Sequence, residues 1–226
     1  MNILAFDTTT IACSVAILSK DIVIAEHFTK IGIGHAEQLV PMILSTLEES
    51  ELEFSSLDGL GVTIGPGSFS GVRIGLATAR GLALATNLPL MGITSLEAIY
   101  AGVSNEITNE IPVIVALDAR KGQCYVALYG ANFEQKQRPV VLSFIDAAVA
   151  IKSLVSNLEV AVVGTGAPNL LSHLALKGVN ASLINSEETP QAGVIARVVA
   201  KRVKQKGWPK KPVSPLYLRN SVATEP

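Results

Sequence analysis

A glycine-rich segment between residues 60 and 87 constrains the fold of this chain more than any other feature. Its apolar start, Leu60 to Ile64, predicts a strand, and Gly65-Pro66-Gly67 predicts a turn. A helix should follow, because the hydroxyl of Ser68 or Ser70 can cap its first free N–H groups. We therefore expect a strand joined to a helix through a tight turn.

The predicted helix lacks the charged face that a surface helix usually shows. Its only charged residues are Arg73 and Arg80, whereas small residues recur at every fourth position, at Gly71, Gly75, Ala79 and Ala83. Such a ridge of small side chains lets another helix approach closely. We expect one side of the helix to cover the protein's own sheet and the ridge to face outward toward a partner. The alternative is a helix sandwiched within a single domain.

Composition limits the classes of partner. Hydrophobic residues make up 49% of the 226 residues and charged residues 16%, which excludes disorder and favours an apolar surface shared with another protein. The formal charge of −1 argues against an extended nucleic-acid face built by this chain alone. The basic clusters at residues 201–206 and 210–211 are expected to be a solvated helix end and loop.

The sequence predicts a cytoplasmic protein. The first residues lack a basic lead and reach Asp7 after a short apolar run, which argues against a signal peptide. The most apolar window, Gly71 to Ile93, contains two arginines and is not expected to cross a membrane. Cys13 and Cys124 are too few for a disulfide framework and are expected to be buried thiols.

The two halves of the chain resemble each other when they are aligned without a gap. Each begins with a predicted β-hairpin whose first strand ends in an aspartate, Asp7 or Asp118. The identical pairs are Ile3 with Ile114, Ala5 with Ala116, Asp7 with Asp118, Cys13 with Cys124, Val15 with Val126 and Ala16 with Ala127. We therefore predict a duplicated α/β unit, with halves at residues 1–105 and 106–226. Chance identity between apolar strands is the alternative.

Three turns could bind phosphate. Asp7 with Thr8 and Thr9 could hold a metal and surround phosphate oxygens, although the same residues could simply satisfy the turn's own backbone. The turn after Asp118 carries Arg120 and Lys121 instead of small residues. The turn at Gly164, Thr165 and Gly166 precedes a helix and is a weak anion site. No pair of histidines or cysteines has metal-ligand spacing, so we expect no metal.

Several motifs together resemble one family, the bacterial TsaB (YeaZ) proteins. They are ILAFDTT at Ile3–Thr9, GPGSFSGVRIG at Gly65–Gly75, DAR at Asp118–Arg120, VGTG at Val163–Gly166 and YLRN at Tyr217–Asn220. The resemblance extends over essentially the whole chain in the family's order. It implies the duplicated ASKHA (actin/hexokinase/Hsp70-like) fold, with two βββαβα-type halves.

The resemblance implies a role in threonylcarbamoyladenosine formation at position 37 of tRNAs that read codons beginning with A. The chain would be a scaffold for TsaD, the catalytic paralogue, with which the ATPase TsaE also assembles. TsaD carries a metal-binding His-x-x-x-His motif where this chain has Ser95 and Ile99. We therefore expect no catalytic residue and no tightly bound cofactor. ATP or ADP could bind in the complex, and tRNA would be reached through the complex.

The family's partner surface lies on the helices of the first half, which agrees with the ridge described above. The predicted interface residues are Gly71, Val72, Gly75, Leu76, Ala79, Leu82, Ala83, Leu39 and Ile43. The chain is expected to form a homodimer when alone. The competing hypothesis is an autonomous ASKHA-type kinase or ATPase that uses Asp7 and Asp118, with Thr8, Thr9, Gly164, Thr165 and Gly166, to bind nucleotide.

Overall fold

The structure, a computed structural model, describes residues 1–103, 111–130, 135–155 and 158–219. The strands of this part of the chain are β1 (Asn2–Asp7), β2 (Ala12–Ser19), β3 (Ile22–Lys30), β4 (Gly59–Thr63), β5 (Leu90–Ile93), β6 (Val113–Asp118), β7 (Gln123–Tyr129), β8 (Gln135–Ser143), β9 (Val160–Val163) and β10 (Ala181–Leu183). Its helices are α1 (His35–Glu49), α2 (Phe69–Thr86), α3 (Ser95–Val103), α4 (Phe144–Val155), α5 (Ala167–Leu176) and α6 (Ala192–Lys206), with a 3-10 turn at Phe54–Ser56.

Two five-stranded sheets share one topology. Their strand orders are β3-β2-β1-β4-β5 and β8-β7-β6-β9-β10. In each sheet the first three strands form an antiparallel meander and the last two join in parallel. The duplicated α/β fold with βββαβα-type halves is therefore confirmed.

The gap-free alignment of the two halves holds for β2 and β7 but not for β1 and β6. Cys13 and Cys124 both pack under the helices that follow their own hairpin. On the first strand of each sheet, the last residue that packs under these helices is Phe6, beneath α1 and α2, or Ala116, beneath α4 and α5. The gap-free alignment instead matches Phe6 with Leu117, so it is one residue out of register there.

The equivalence of Asp7 with Asp118 is consequently wrong. Leu117 takes the place of Asp7, since Asp7 pairs with Ser14 and Leu117 pairs with Tyr125. The intervening segments are residues 8–13 and 118–124, so the second hairpin carries one extra residue. Because successive side chains of a strand point to opposite faces, this slip puts the two aspartates on opposite faces of their sheets.

Helix α2 begins as the sequence predicts. The Ser68 hydroxyl accepts a hydrogen bond from Gly71 N at 3.3 Å, and Asn87 ends the helix in the left-handed conformation, with φ of 57°. Gly65 in the preceding turn has a φ of 97°, which favours glycine. The strand–turn–helix prediction is therefore confirmed.

The outward orientation predicted for the small-residue ridge is wrong. Gly71, Gly75 and Ala79 are buried, and Val72 and Leu76 are only 1% and 3% exposed in a core shared with β1 and β4. A Cβ on Gly71 would lie 2.0 Å from the Thr8 carbonyl oxygen. The ridge thus lets the chain's own first turn approach the helix, not a partner's helix.

The remaining predicted interface residues divide between core and margin. Leu39 and Ile43 of α1 are 0% and 1% exposed and belong to the same core. Leu82 and Ala83 are half-buried. Buried side chains cannot contact a partner directly, so their assignment to the interface needs correction.

The chain divides into two compact units with different bounds from the predicted halves. Unit 1 comprises Met1–Ala98 and Thr189–Leu216, and unit 2 comprises Ile99–Glu188 with the residues from Tyr217 onward. Helix α6 belongs to unit 1 because Ile195 and Val199 pack against Ile3 and Ala5 on the sheet face opposite α1 and α2. The predicted boundary between residues 105 and 106 lies outside the described residues. None of the helices described is long and apolar enough to cross a membrane.

Candidate functional site

Asp7 lies at the end of β1 and is fully buried. Its Oδ1 accepts hydrogen bonds from Thr9 N at 3.1 Å, from Thr9 Oγ1 at 2.6 Å and from Thr63 Oγ1. Thr9 Oγ1 also lies 2.9 Å from Ser95 Oγ. The other carboxyl oxygen, Oδ2, has no hydrogen-bond partner among the described residues. One oxygen of this carboxyl group therefore accepts hydrogen bonds from two hydroxyls and a backbone N–H, and the other oxygen accepts none from the described residues.

Burial raises the pKa of Asp7 from its ordinary value of 3.8 to about 6. The hydrogen bonds from Thr63 and Thr9, and the nearby His35, oppose this rise but do not cancel it. The described residues include no group of three or more His, Cys, Asp or Glu side chains that could hold a metal ion. Asp7 is thus a single buried carboxyl group surrounded by hydroxyls, and it binds its proton more tightly than an ordinary aspartate does.

The threonines after Asp7 are engaged within unit 1. Thr8 Oγ1 donates to the Gly71 carbonyl at 2.7 Å, and Ser68 N donates to the Thr9 carbonyl at 2.7 Å. These bonds hold the first turn against the N-terminal end of α2. The groups predicted to surround phosphate are therefore used in bonds within the protein, to backbone for Thr8 and to side chains for the Thr9 hydroxyl, which favours the alternative interpretation of this turn.

Sequence reasoning missed Thr63 and Ser95 as partners of this site. Phe6 of β1 pairs with Val62 of the parallel strand β4, so Thr63 follows at the same edge of the sheet as Asp7. The carboxyl ends of parallel strands meet at one edge, and a hydroxyl residue that ends a second strand was the available signal. Ser95, at the start of α3, had no comparable signal.

The second turn has its own internal partners. Asp118 is exposed, and its Oδ1 accepts a hydrogen bond from Arg120 N at 2.8 Å, which closes a local turn. Thr165 Oγ1 accepts from Asp118 N at 3.0 Å, and Gly166 N donates to the Ala116 carbonyl at 2.9 Å. Asp118, Thr165 and Gly166 are thus brought together, but these polar groups are already used in hydrogen bonds within the turns and to β6.

Close packing explains the glycine that begins this turn. Gly164 has a φ of 103°, and a Cβ there would lie 2.4 Å from the Ala116 carbonyl oxygen. Glycine at position 164 is therefore required by the approach of the turn to β6, independently of any phosphate.

The outer sides of α1 and α2 carry large apolar side chains that sequence reasoning did not select. Val40 and Leu44 of α1 are 49% and 53% exposed, and Phe69 and Leu84 of α2 are 48% and 83% exposed. The spacing of Val40 and Leu44, one helical turn apart, could have identified the stripe. We call these four residues the helical face.

Arginines accompany the helical face on α2. Phe69, Arg73, Ala77, Arg80 and Leu84 follow one another at helical spacing, which places them on one side of the helix. The Arg73 guanidinium lies 3.7 Å from the centre of the Phe69 ring. This side of α2 is therefore apolar and basic together.

Comparison with known proteins decides the family. A family model described as TsaD, tRNA N6-adenosine threonylcarbamoyltransferase, matches residues 29–187. The chain belongs to this family. Within it, the chain groups with the TsaB (YeaZ) proteins, as the motifs predicted.

Named relatives support this grouping. The tRNA threonylcarbamoyladenosine biosynthesis protein TsaB of Escherichia coli strain K12 is 40% identical over 57% of this chain and 55% of that protein. TsaB of Bacillus subtilis strain 168 is 36% identical over the same shares. The matching segment therefore spans about half the length of these relatives.

A solved structure extends the likeness to nearly the whole chain. YeaZ from Pseudomonas aeruginosa superposes with a TM-score of 0.80 at 26% identity, over 96% of this chain and 99% of that one. The ASKHA-type duplicated fold implied by the motifs is therefore confirmed.

Proposed function

We propose that the chain is a non-catalytic subunit that acts with a TsaD-type transferase and a TsaE-type ATPase. The complex would form threonylcarbamoyladenosine at adenosine 37 of tRNAs that read codons beginning with A. Family membership and the names of the relatives support the pathway. The observation that carries the subunit role is the exposed helical face, which leaves large apolar side chains in water.

The helical face replaces the buried ridge as the proposed partner surface. Its apolar side chains suit another apolar helix pair, and Arg73 beside Phe69 suits an acidic residue at the rim of that contact. Leu82 and Ala83 are half-buried and can contribute at the edge. The same face would form the homodimer when the transferase is absent, so dimer and complex should exclude each other.

Reconstitution tests this role. The purified chain, a TsaD-type subunit, a TsaE-type subunit, unmodified tRNA and a threonylcarbamoyl donor should together yield the modified nucleoside, measured by mass spectrometry of digested tRNA. Omission of the chain should remove the product. Product formed equally well without the chain would refute the proposal.

A double variant locates the partner surface. Leu44→Glu with Leu84→Glu should weaken binding to the TsaD-type subunit at least 10-fold, because charges would enter an apolar contact. Leu176→Glu is the matched control, since Leu176 of α5 is 82% exposed and lies in unit 2. Unchanged partner binding by a folded double variant would exclude the helical face.

An autonomous kinase or ATPase remains the second candidate, and the partnerless Oδ2 of buried Asp7 favours it. The internal bonds of both turns weigh against it, so nucleotide affinity of the chain alone should be on the order of millimolar. Low-micromolar ATP binding by calorimetry, with hydrolysis lost in Asp7→Asn, would establish the enzyme.

We also propose a cytoplasmic location, where tRNA is modified.

A further inference from the structure

A basic cavity in unit 1 lies outside the helical face. The middle of β5, the C-terminal end of α6 and the tail that follows α6 border an open cavity of about 380 Å³. Met91, Gly92, Lys206, Trp208, Lys211 and Val213 are among the residues that line it. This volume falls in the lower part of the range for small-ligand sites, enough for a single nucleotide base.

Positive charge is concentrated in the segment that contributes Lys206, Trp208 and Lys211 to this cavity. Residues 197–211 contain seven of the chain's 18 Lys and Arg residues and no Asp or Glu. Arg202 pairs with Glu97 and Lys204 pairs with Asp21 at 2.6 Å, which neutralises two of these charges. The described residues that line the cavity include Lys206 and Lys211 but no acidic side chain. The near-neutral charge of the whole chain therefore conceals a local basic site.

The helix dipole does not account for both lysines. Lys206 occupies the last turn of α6, where a cation is favoured by the helix C-terminus. Lys211 lies beyond the end of the helix, in a tail held by two hydrogen bonds. These join Arg80 to the Val213 carbonyl at 2.6 Å and Leu216 N to the Ile64 carbonyl at 2.8 Å. The tail thus fixes a second cation at the cavity.

Trp208 adds an aromatic wall. One edge of the indole packs on Gly59, where a Cβ would lie 2.2 Å from Trp208 Cη2, and Trp208 is also one of the residues that line the cavity. The side chain is only half-buried. An anchored, partly exposed tryptophan that lines the same cavity as two lysines is suited to stack on the unpaired base of a nucleotide whose phosphate contacts the cations.

We propose that this cavity binds single-stranded RNA, with its phosphates on Lys206 and Lys211 and one base stacked on Trp208. The inference rests on the proposed function, which supplies tRNA as the RNA. It adds a direct RNA contact by this chain, whereas the near-neutral composition argued against an extended nucleic-acid face and the family resemblance implied access to tRNA through the complex.

Trp208 is the chain's only tryptophan, so its fluorescence reports on the cavity. The full chain would be titrated with unmodified tRNA, with a short single-stranded RNA and with inorganic triphosphate at several salt concentrations. Fluorescence reports base stacking and anisotropy of labelled RNA reports affinity. The variant is Lys206→Gln with Lys211→Gln. The matched control is Lys20→Gln with Lys177→Gln, since both of these lysines are exposed and neither lines the cavity.

Both RNAs should quench Trp208, and the Lys206/Lys211 variant should bind at least 10-fold more weakly. A plot of the logarithm of its binding constant against the logarithm of salt concentration should have a slope that is smaller in magnitude by about 1 to 2. Each phosphate contact that is lost lowers the magnitude of this slope by nearly one. Circular dichroism melts verify that both double variants are folded. Equal affinity of the variant and the control, RNA binding without quenching, or quenching by triphosphate as strong as by RNA would each overturn the proposal.

The reconstitution assay separates this inference from the proposed function. If the wild-type chain supports tRNA modification while the Lys206/Lys211 variant binds RNA as the control does, the RNA site is refuted and the function stands. If RNA quenches Trp208 and the variant loses affinity, but modification does not need the chain, the RNA site stands and the function is refuted.

Discussion

The buried carboxyl group of Asp7 should make the protein less stable as pH rises. Its pKa is about 6 in the folded chain and 3.8 ordinarily, so the folded chain binds a proton more tightly than the unfolded chain. The free energy of unfolding must then fall as pH increases from about 4 to 6. This direction is opposite to that of a salt-bridged aspartate, whose contribution is lost as pH falls.

The size of the effect follows from the shift. About two pKa units at 1.36 kcal/mol each give a penalty of about 3 kcal/mol once Asp7 is ionised. Between pH 5 and pH 8, where both states can be measured, the penalty should grow by about 1.4 kcal/mol, because part of it is already present at pH 5.

Asp7→Asn removes this proton-linked penalty. The amide keeps an oxygen for the bonds from Thr9 and Thr63 but puts an NH₂ group at the partnerless position, which costs about 1–3 kcal/mol at every pH. The informative quantity is therefore the difference in stability between wild type and variant as a function of pH.

Urea unfolding between pH 5 and pH 8, followed by circular dichroism, measures that difference. The variant should gain about 1.4 kcal/mol relative to wild type across the range. Asp118→Asn, a change at an exposed aspartate that also ends a strand, is the control. A stability difference between wild type and Asp7→Asn that stays flat with pH would refute the raised pKa and the sealed environment from which it arises.

The remaining predictions concern packing. Gly71→Ala should destabilise by several kcal/mol, because its Cβ would meet the Thr8 carbonyl. Gly81→Ala on the same helix, with nothing within 4 Å, should stabilise by about 0.5–1 kcal/mol, and equal effects in thermal melts would contradict the packing assigned to α2. Leu76→Arg should prevent folding because Leu76 is 3% exposed; a soluble variant with a wild-type melt would contradict its burial. Gly59→Ala should displace Trp208 and shift its emission, and unchanged emission would count against their contact.

The sequence was sufficient for the order of elements where apolar patterning is strong. The meander β1–β3, the strand β4 and helix α2 follow from alternation, turn residues and a serine cap. Strand β8 was implied by the family's βββαβα arrangement but not by apolar patterning, because its first residues, Gln135 to Pro139, are polar or proline. It lies at the end of its sheet, where polar residues and proline are tolerated since one edge is unpaired.

Sequence could not decide which surface the small-residue ridge would contact. A row of Gly71, Gly75 and Ala79 indicates close approach but does not identify the approaching group. Here Thr8 approaches the two glycines, with its carbonyl at Gly71 and its hydroxyl at Gly75. That contact joins segments that are far apart in the sequence, so no local pattern reports it. The exposed Val40 and Leu44 were not selected because an apolar residue on a helix is ordinarily assigned to the core.

The aspartates illustrate a limit of repeat detection in strands. Asp7 and Asp118 match without a gap, yet one extra residue in the second hairpin turns their side chains to opposite sheet faces. Asp7 is sealed among hydroxyls, whereas Asp118 closes an exposed turn through Arg120 N. A symmetric clamp requires equivalent carboxyl groups, and Leu117 occupies the position equivalent to Asp7. Because the second unit has no carboxyl group there, any nucleotide chemistry by this chain alone would have to depend on Asp7 without a counterpart.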